Sequence, residues 1–308
     1  MKRAVLLASL LVTSVACGAE STTAPKKVAV ADKPAAKAPA EEKTEAESTD
    51  YVRFVEEDEG DALETAVVRF ESPQKVVVDL VGAIHIADKS YYDALNTRFR
   101  GYEAVLYELV GPPMHQREKG KMVEGGEGLQ WVGTMQAKMR DTLKLEGQLA
   151  SIDYSAKNFV HADMSWKQFE KTREKKQESF LKLYLKLWQA QTAAGQDSAQ
   201  SDAAALAMLF NMLTKKDTSM ELKRGLASQM DAVEALMGGV EAGEGTVIVG
   251  ERNRVAFEVL DKQIAAGKKN LAIFYGAAHL PDMEKRLYAR GFKRVKEEWL
   301  RAWWMPYE

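Results

Sequence analysis

At 308 residues and 46% hydrophobic content the chain can bury a sizeable core, in one large domain or two smaller ones. A formal net charge of −2 with no long basic block argues against a nucleic-acid partner. The single cysteine, Cys17, excludes an intrachain disulfide framework and a thiolate metal cluster.

Lys2 and Arg3 precede the apolar run Ala4 to Val12, and Ser14-Val15-Ala16 leads into Cys17. A charged region, an apolar region and small residues in that order predict a signal segment over residues 1–17 and export from the cytoplasm. The cysteine after small residues resembles the lipobox of bacterial lipoproteins, which implies a lipid on Cys17 and a membrane anchor at the periplasmic side or the cell surface. Ordinary cleavage after Ser14-Val15-Ala16 is the alternative. Residues 18–50 are dominated by Ala, Lys, Glu, Thr and Pro, a composition that cannot bury enough surface to order itself, and are expected to be a tether.

The folded part is expected over 51–308. Thr65 to Phe70, a turn around Ser72-Pro73, and Lys75 to His85 read as a hairpin leading into a strand. The run Val76-Val77-Val78-Asp79-Leu80-Val81 is nearly continuous in apolar β-formers, the pattern of a strand buried on both faces of a parallel sheet, and it closes on Gly82-Ala83-Ile84-His85. Asp88 is placed to cap a helix over 89–99, and Gly101 to stop it. A second strand, Ala104 to Val110, carries Glu108 among apolar neighbours, where an ionised carboxylate is costly without a cation or donors beside it. From about 114 to 245 the pattern turns helical, with stripes such as Phe180, Leu183, Tyr184, Leu187 and Trp188. This predicts a large helical insertion. Thr246 to Val249 reads as a return to strand, followed through Gly250-Glu251-Arg252-Asn253 by a helix ending at Gly267. Leu271 to Tyr275 is a further strand, closing on Gly276-Ala277-Ala278-His279. A helix from Pro281 and two short strand-like pieces around Trp299 and Trp303 complete the chain. The fold class is α/β (α+β), with a central mixed, largely parallel sheet, flanking helices and the helical insertion.

Ligands of such sheets bind outside the carboxyl ends of the strands, so two strands ending in G-A-x-H bring two imidazoles toward one crevice. Glycines Gly82 and Gly276 leave room for backbone or substrate to approach there. With Glu108 the histidines would form a His/His/Glu set suited to a divalent metal with open positions. Against this stand blander readings: His85 and His279 as hydrogen-bonded interior histidines, and Glu108 paired with an arginine. Arg252 is a candidate for stabilising developing charge or for a salt bridge to Glu108 or Glu251. Asn253 would position a water or cap its helix, while Asp163 and Ser165 read as caps, His161 as lining the mouth and His115 as an exposed loop residue. The chain has neither a G-x-S-x-G elbow nor a P-loop.

The paired G-x-x-H motifs, the intervening glutamate and Gly250-Glu251-Arg252-Asn253 before Gly276 to Pro281 resemble the TraB/PrgY/GumN family, which includes the TIKI proteases and is related to erythromycin-esterase-like and ChaN-like proteins. The resemblance runs from about Val67 to Gly291 and covers the helical middle only in character. It implies a metal-dependent peptidase acting on a peptide or protein, with manganese or cobalt held by His85, Glu108 and His279, and with Arg252 assisting; the donor set itself would also suit zinc. It also leaves open a haem- or iron-binding protein, with His85 or Tyr275 as axial ligand, a metal-free esterase-like hydrolase, and a peptide-sequestering inhibitor of signalling.

Overall fold

The computed structural model of the chain describes residues 51–116, 137–176, 219–230 and 247–307. The signal segment, Cys17, the tether and the helical stripe over 180–188 lie outside these residues.

The central sheet is mixed, with order β1-β2-β3-β8-β5-β7 and β9 along the other side of β2. The strands are β1 (Val52–Glu57), β2 (Gly60–Glu71), β3 (Val77–Ala83), β5 (Ala104–Tyr107), β7 (Phe159–His161), β8 (Asn270–Gly276) and β9 (Lys293–Pro306). Strands β3, β8, β5 and β7 are mutually parallel, and the hairpin expected around Ser72-Pro73 pairs β2 with β3 antiparallel. The Ser72 hydroxyl accepts from the Val76 N–H in that turn, where Lys75 adopts a positive φ of 64°.

Both parallel strands with G-A-x-H endings are buried throughout most of their length, as their uninterrupted apolar sequences require. Asp79 is the exception in sequence. Its carboxylate is met by Arg69 at 2.8 and 2.9 Å and by the Tyr102 hydroxyl at 2.5 Å, which offsets the cost of placing a charge in β3. Helix α1 (Lys89–Phe99) turns Tyr91, Tyr92, Leu95 and Phe99 into the core, the i, i+1, i+4, i+8 face of one helix. Asp88 stands at its N-cap but makes no cap bond. Its carboxylate instead accepts from Lys223 at 2.8 Å and from the Trp304 N–H, tying α4 (Ser219–Ala227) and β9 to the start of α1. Gly101 lacks the positive φ of a glycine stop, whereas Gly267 (φ 89°) and Gly291 (φ 79°) have it and follow α5 (Arg252–Ala265) and α6 (Leu280–Ala289).

Three expectations are corrected. Residues 247–251 are π-helix running directly into α5, not strand: a short apolar run does not distinguish the two, and here it continues a helical segment. The region 114–245 is helical over 137–143, α2 (Gln148–Ser151), α3 (Trp166–Lys176) and α4, yet it also supplies β7, a strand of the main sheet. It also supplies β6 (Glu146–Gly147), which pairs with β4 (Ile86–Ala87) in a separate small ladder. The two tryptophan-rich pieces are one 14-residue strand, β9, laid along β2 with register shifts at Leu63/Glu64 and Arg69/Phe70. Bulges let so long a pair twist without breaking.

Candidate functional site

Because β3, β8, β5 and β7 run the same way, their carboxyl ends form one edge. The register aligns Ala83 with Gly276, Tyr107 with Phe274 and Tyr107 with His161. The residues that follow these ends, His85, His279, Glu108 and Asp163, are thereby delivered to neighbouring positions. Gly276 contributes directly, its N–H donating to Glu108 Oε2 at 2.7 Å.

Arg252, at the start of α5, is fully buried among them. Its Nη2 donates to Glu108 Oε1 at 2.6 Å and to Asp163 Oδ2 at 2.6 Å, and its Nε donates to Asp163 Oδ1 at 3.0 Å. The salt bridge to Glu108 raised by the sequence is present, and Asp163, which read as a cap, is the second partner. Two carboxylates against one guanidinium leave this cluster with surplus negative charge. Burial pushes the Glu108 carboxyl up, but Arg252, then His279 and His85, and the Gly276 N–H outweigh it and hold the pKa down to about 2. Burial alone would lower the Arg252 pKa, yet Asp163 and Glu108 raise it, so both members of the pair stay ionised.

The tautomer of His279 follows from its neighbours. Asn253 uses its amide nitrogen twice, donating to the His279 carbonyl at 3.0 Å and to Asp282 Oδ2 at 2.8 Å. Its oxygen therefore faces His279 Nδ1 at 2.7 Å and can only accept, which puts the ring proton on Nδ1. The lone pair is on Nε2, which lies 3.5 Å from Arg252 Nη1 and 3.6 Å from Glu108 Oε1. Arginine has donors only, which agrees with an accepting Nε2. Burial lowers the His279 pKa to about 4 despite the pull of Glu108, so the ring is neutral at physiological pH. His85 is partly exposed, with Nδ1 3.1 Å from Gln148 Oε1. Burial lowers its pKa too, with Glu108 acting in the opposite sense.

The remaining candidates separate. Gly82 sits against β2 and not in the crevice: a Cβ there would meet the Ala66 carbonyl oxygen at 3.3 Å and Thr65 Cβ at 3.4 Å. Its glycine serves the packing of β3. Asn253 orients His279 and is one residue inside α5, with Glu251 at the cap position. The Tyr275 hydroxyl is buried and donates to the Ala162 carbonyl, which commits it away from an axial-ligand role. His161 meets the Leu109 carbonyl at 2.6 Å, and His115 is exposed on the 3-10 turn Met114–Gln116. Ser165 is a cap as expected: Gln168 N–H donates to its hydroxyl while its own N–H donates to Gln168 Oε1 at 2.9 Å, a reciprocal capping box. Sequence reasoning missed Asp163 as a site residue and did not consider Gln148. For Asp163 the available signal was its place just beyond Phe159-Val160-His161, two residues past the strand end, as Glu108 stands one residue past its own.

The donor chemistry suits a divalent cation: an ionised carboxylate, a neutral imidazole with its lone pair on Nε2, a second neutral imidazole, and surplus negative charge. The arrangement is less complete, since among the described residues no three His, Cys, Asp or Glu side chains are grouped closely enough to hold an ion together. His279 Nε2 and Glu108 Oε1 are the facing pair, and His85 would be the third donor. Among the described residues no helix is long and apolar enough to cross a membrane. Comparison with protein-family models, curated proteins and solved structures found no match to this chain.

Proposed function

We propose that the chain is a hydrolase of peptide or protein amide bonds, with His85, Glu108 and His279 holding a divalent ion such as manganese, cobalt or zinc. The observation that carries this reading is the fixed tautomer of His279, which sets an imidazole lone pair 3.6 Å from an ionised glutamate at the carboxyl end of parallel strands. A divalent ion bound there would supply Lewis-acid polarisation of a carbonyl and a nucleophilic hydroxide near neutral pH. The protein's own part is to keep Glu108 ionised, through Arg252 and the Gly276 N–H, and to keep His279 neutral and oriented through Asn253. Arg252 also brings a positive charge toward which a developing oxyanion could be stabilised. Export and a lipid on Cys17 belong to the same proposal and rest on the order of charged, apolar and small residues at the N-terminus.

A second reading needs no ion. Arg252 already neutralises the Glu108 oxygen that faces His279, and the Nε2 lone pair can serve as a general base for water attack on an ester or amide. One experiment separates the two: elemental analysis of protein purified without chelators, followed by peptide cleavage before and after chelation. Stoichiometric metal, with cleavage lost on chelation and regained with manganese or cobalt, is the expected result. Metal-free protein with chelator-resistant activity selects the histidine base, and absence of any hydrolysis rejects both.

A further inference from the structure

The residues on either side of His85 are gripped by a part of the chain far away in sequence. Ile86 pairs with Gly147 and Ala87 with Glu146 in the antiparallel β4–β6 ladder, and the Gln148 N–H donates to the His85 carbonyl at 2.9 Å, extending that ladder by one step. His85 and Gln148 are thus cross-strand neighbours whose side chains can meet on one face. They do meet: Gln148 Oε1 lies 3.1 Å from His85 Nδ1. The Gln148 amide is itself pinned, since the side chain is buried and its Nε2 donates to the Tyr154 hydroxyl at 2.9 Å. Tyr154 in turn packs against the ring of Tyr107, the residue before Glu108, with centroids 5.1 Å apart.

We propose that Gln148 is the positioning residue of His85, its amide oxygen holding the ring as the Nδ1–H tautomer so that Nε2 carries the lone pair. With its nitrogen turned to Tyr154, the amide offers His85 an oxygen, which only accepts. Asn253 does the same for His279 from a different element, so two amides 105 positions apart by their numbering set both imidazoles alike. An imidazole presenting an Nε2 lone pair is the form that takes a cation, and a tautomer-fixing partner is what such ligands ordinarily have. The link to cation binding rests on the function proposed above; the tautomer assignment does not.

The test is the long-range proton–nitrogen spectrum of the histidine rings in the full chain, stripped of metal, in mildly alkaline buffer where the rings are neutral. Wild type should show His85 protonated at Nδ1. Gln148→Glu, which keeps an acceptor, should preserve that signature, whereas Gln148→Leu should give a mixture with the Nε2–H form. Titration with manganese or zinc should show about 10- to 100-fold weaker binding for Gln148→Leu than for Gln148→Glu. If Gln148→Leu does not fold, Tyr154→Phe takes its place: loss of the hydroxyl releases the amide nitrogen, and tautomer mixing at His85 is again expected. An Nε2–H ring in wild type, or an unchanged tautomer in Gln148→Leu or Tyr154→Phe, overturns the proposal. Tautomers that change as expected in a protein that binds no cation in any variant would keep the role of Gln148 and reject the metal reading.

Discussion

Arg252 and Asp163 meet in a two-pronged contact, Nε to Oδ1 at 3.0 Å and Nη2 to Oδ2 at 2.6 Å, with neither side chain reaching solvent. That fork-on-carboxylate geometry fixes the plane of the guanidinium, and the remaining reach of Nη2 falls on Glu108. Removing Asp163 leaves Arg252 its pairing with Glu108 but takes the acceptor from its buried Nε, so a buried charged group is left short of a partner. Asp163→Ala is therefore expected to lower stability by about 2–3 kcal/mol. A residue acting only as a helix cap would cost about 1 kcal/mol. Urea unfolding distinguishes the two, and a loss near the smaller figure would return Asp163 to a capping role.

Arg252→Ala should be destabilising for the same reason, because it leaves Glu108 and Asp163 facing each other without a cation. The informative change is Arg252→Lys, which keeps the charge but loses the planar fork. The fold should survive, while turnover drops by about 10²–10³, the order expected for losing one oriented donor to developing charge. Unchanged turnover in a folded Arg252→Lys protein would make Arg252 a purely structural counterion.

Much of this arrangement was legible because buried parallel strands announce themselves by continuous apolar runs, and a histidine three residues after a glycine at such an end has few places to go. Chain order did not reveal that β8 would insert between β3 and β5, which is what brings Gly276 to Glu108. Spatial order in a sheet depends on crossovers, and local residue patterns do not record it. Gln148 was invisible for a related reason: β4 and β6 have two residues each, too few for any periodicity, and their pairing is decided by the tertiary fold. The misreading of Val247 to Val249 came from composition, since Val-Ile-Val favours strand in isolation but here continues into α5.

Gly82 offers a direct check on whether the first G-x-x-H glycine serves substrate or packing. An added methyl would press on the Ala66 carbonyl oxygen at 3.3 Å, on Thr65 Cβ at 3.4 Å and on the Tyr51 carbonyl oxygen at 3.5 Å, two of these being backbone atoms of the adjoining strand region. Gly82→Ala should cost about 1–3 kcal/mol by overpacking. Its cation affinity and turnover, measured well below the melting temperature, should stay close to wild type. Full stability with lost turnover would instead place Gly82 at the substrate.

The pH dependence of stability should be led by His279. Its pKa in the folded protein is lowered by burial from 6.5 to about 4, so the unfolded chain takes up a proton first as pH falls. The contribution is fully present above pH 6.5, is lost progressively between 6.5 and about 4, and levels off below. A shift of this size corresponds to a loss on the order of 3 kcal/mol. His85 shifts in the same direction and adds to the slope, whereas Glu108, lowered from 4.5 to about 2, acts only at lower pH. Urea unfolding of metal-free protein should therefore weaken from just below neutrality downward. His279→Gln, which cannot titrate, should show a shallower slope than wild type across that window. The acid limb of kcat/KM should likewise fall near pH 4 and not near 6.5, since the neutral ring is the working form in either proposed route. A variant whose unfolding slope matches wild type, or an acid limb centred on 6.5, would mean that His279 is solvated in the working protein and that the buried cluster with Arg252 and Glu108 is not its resting environment.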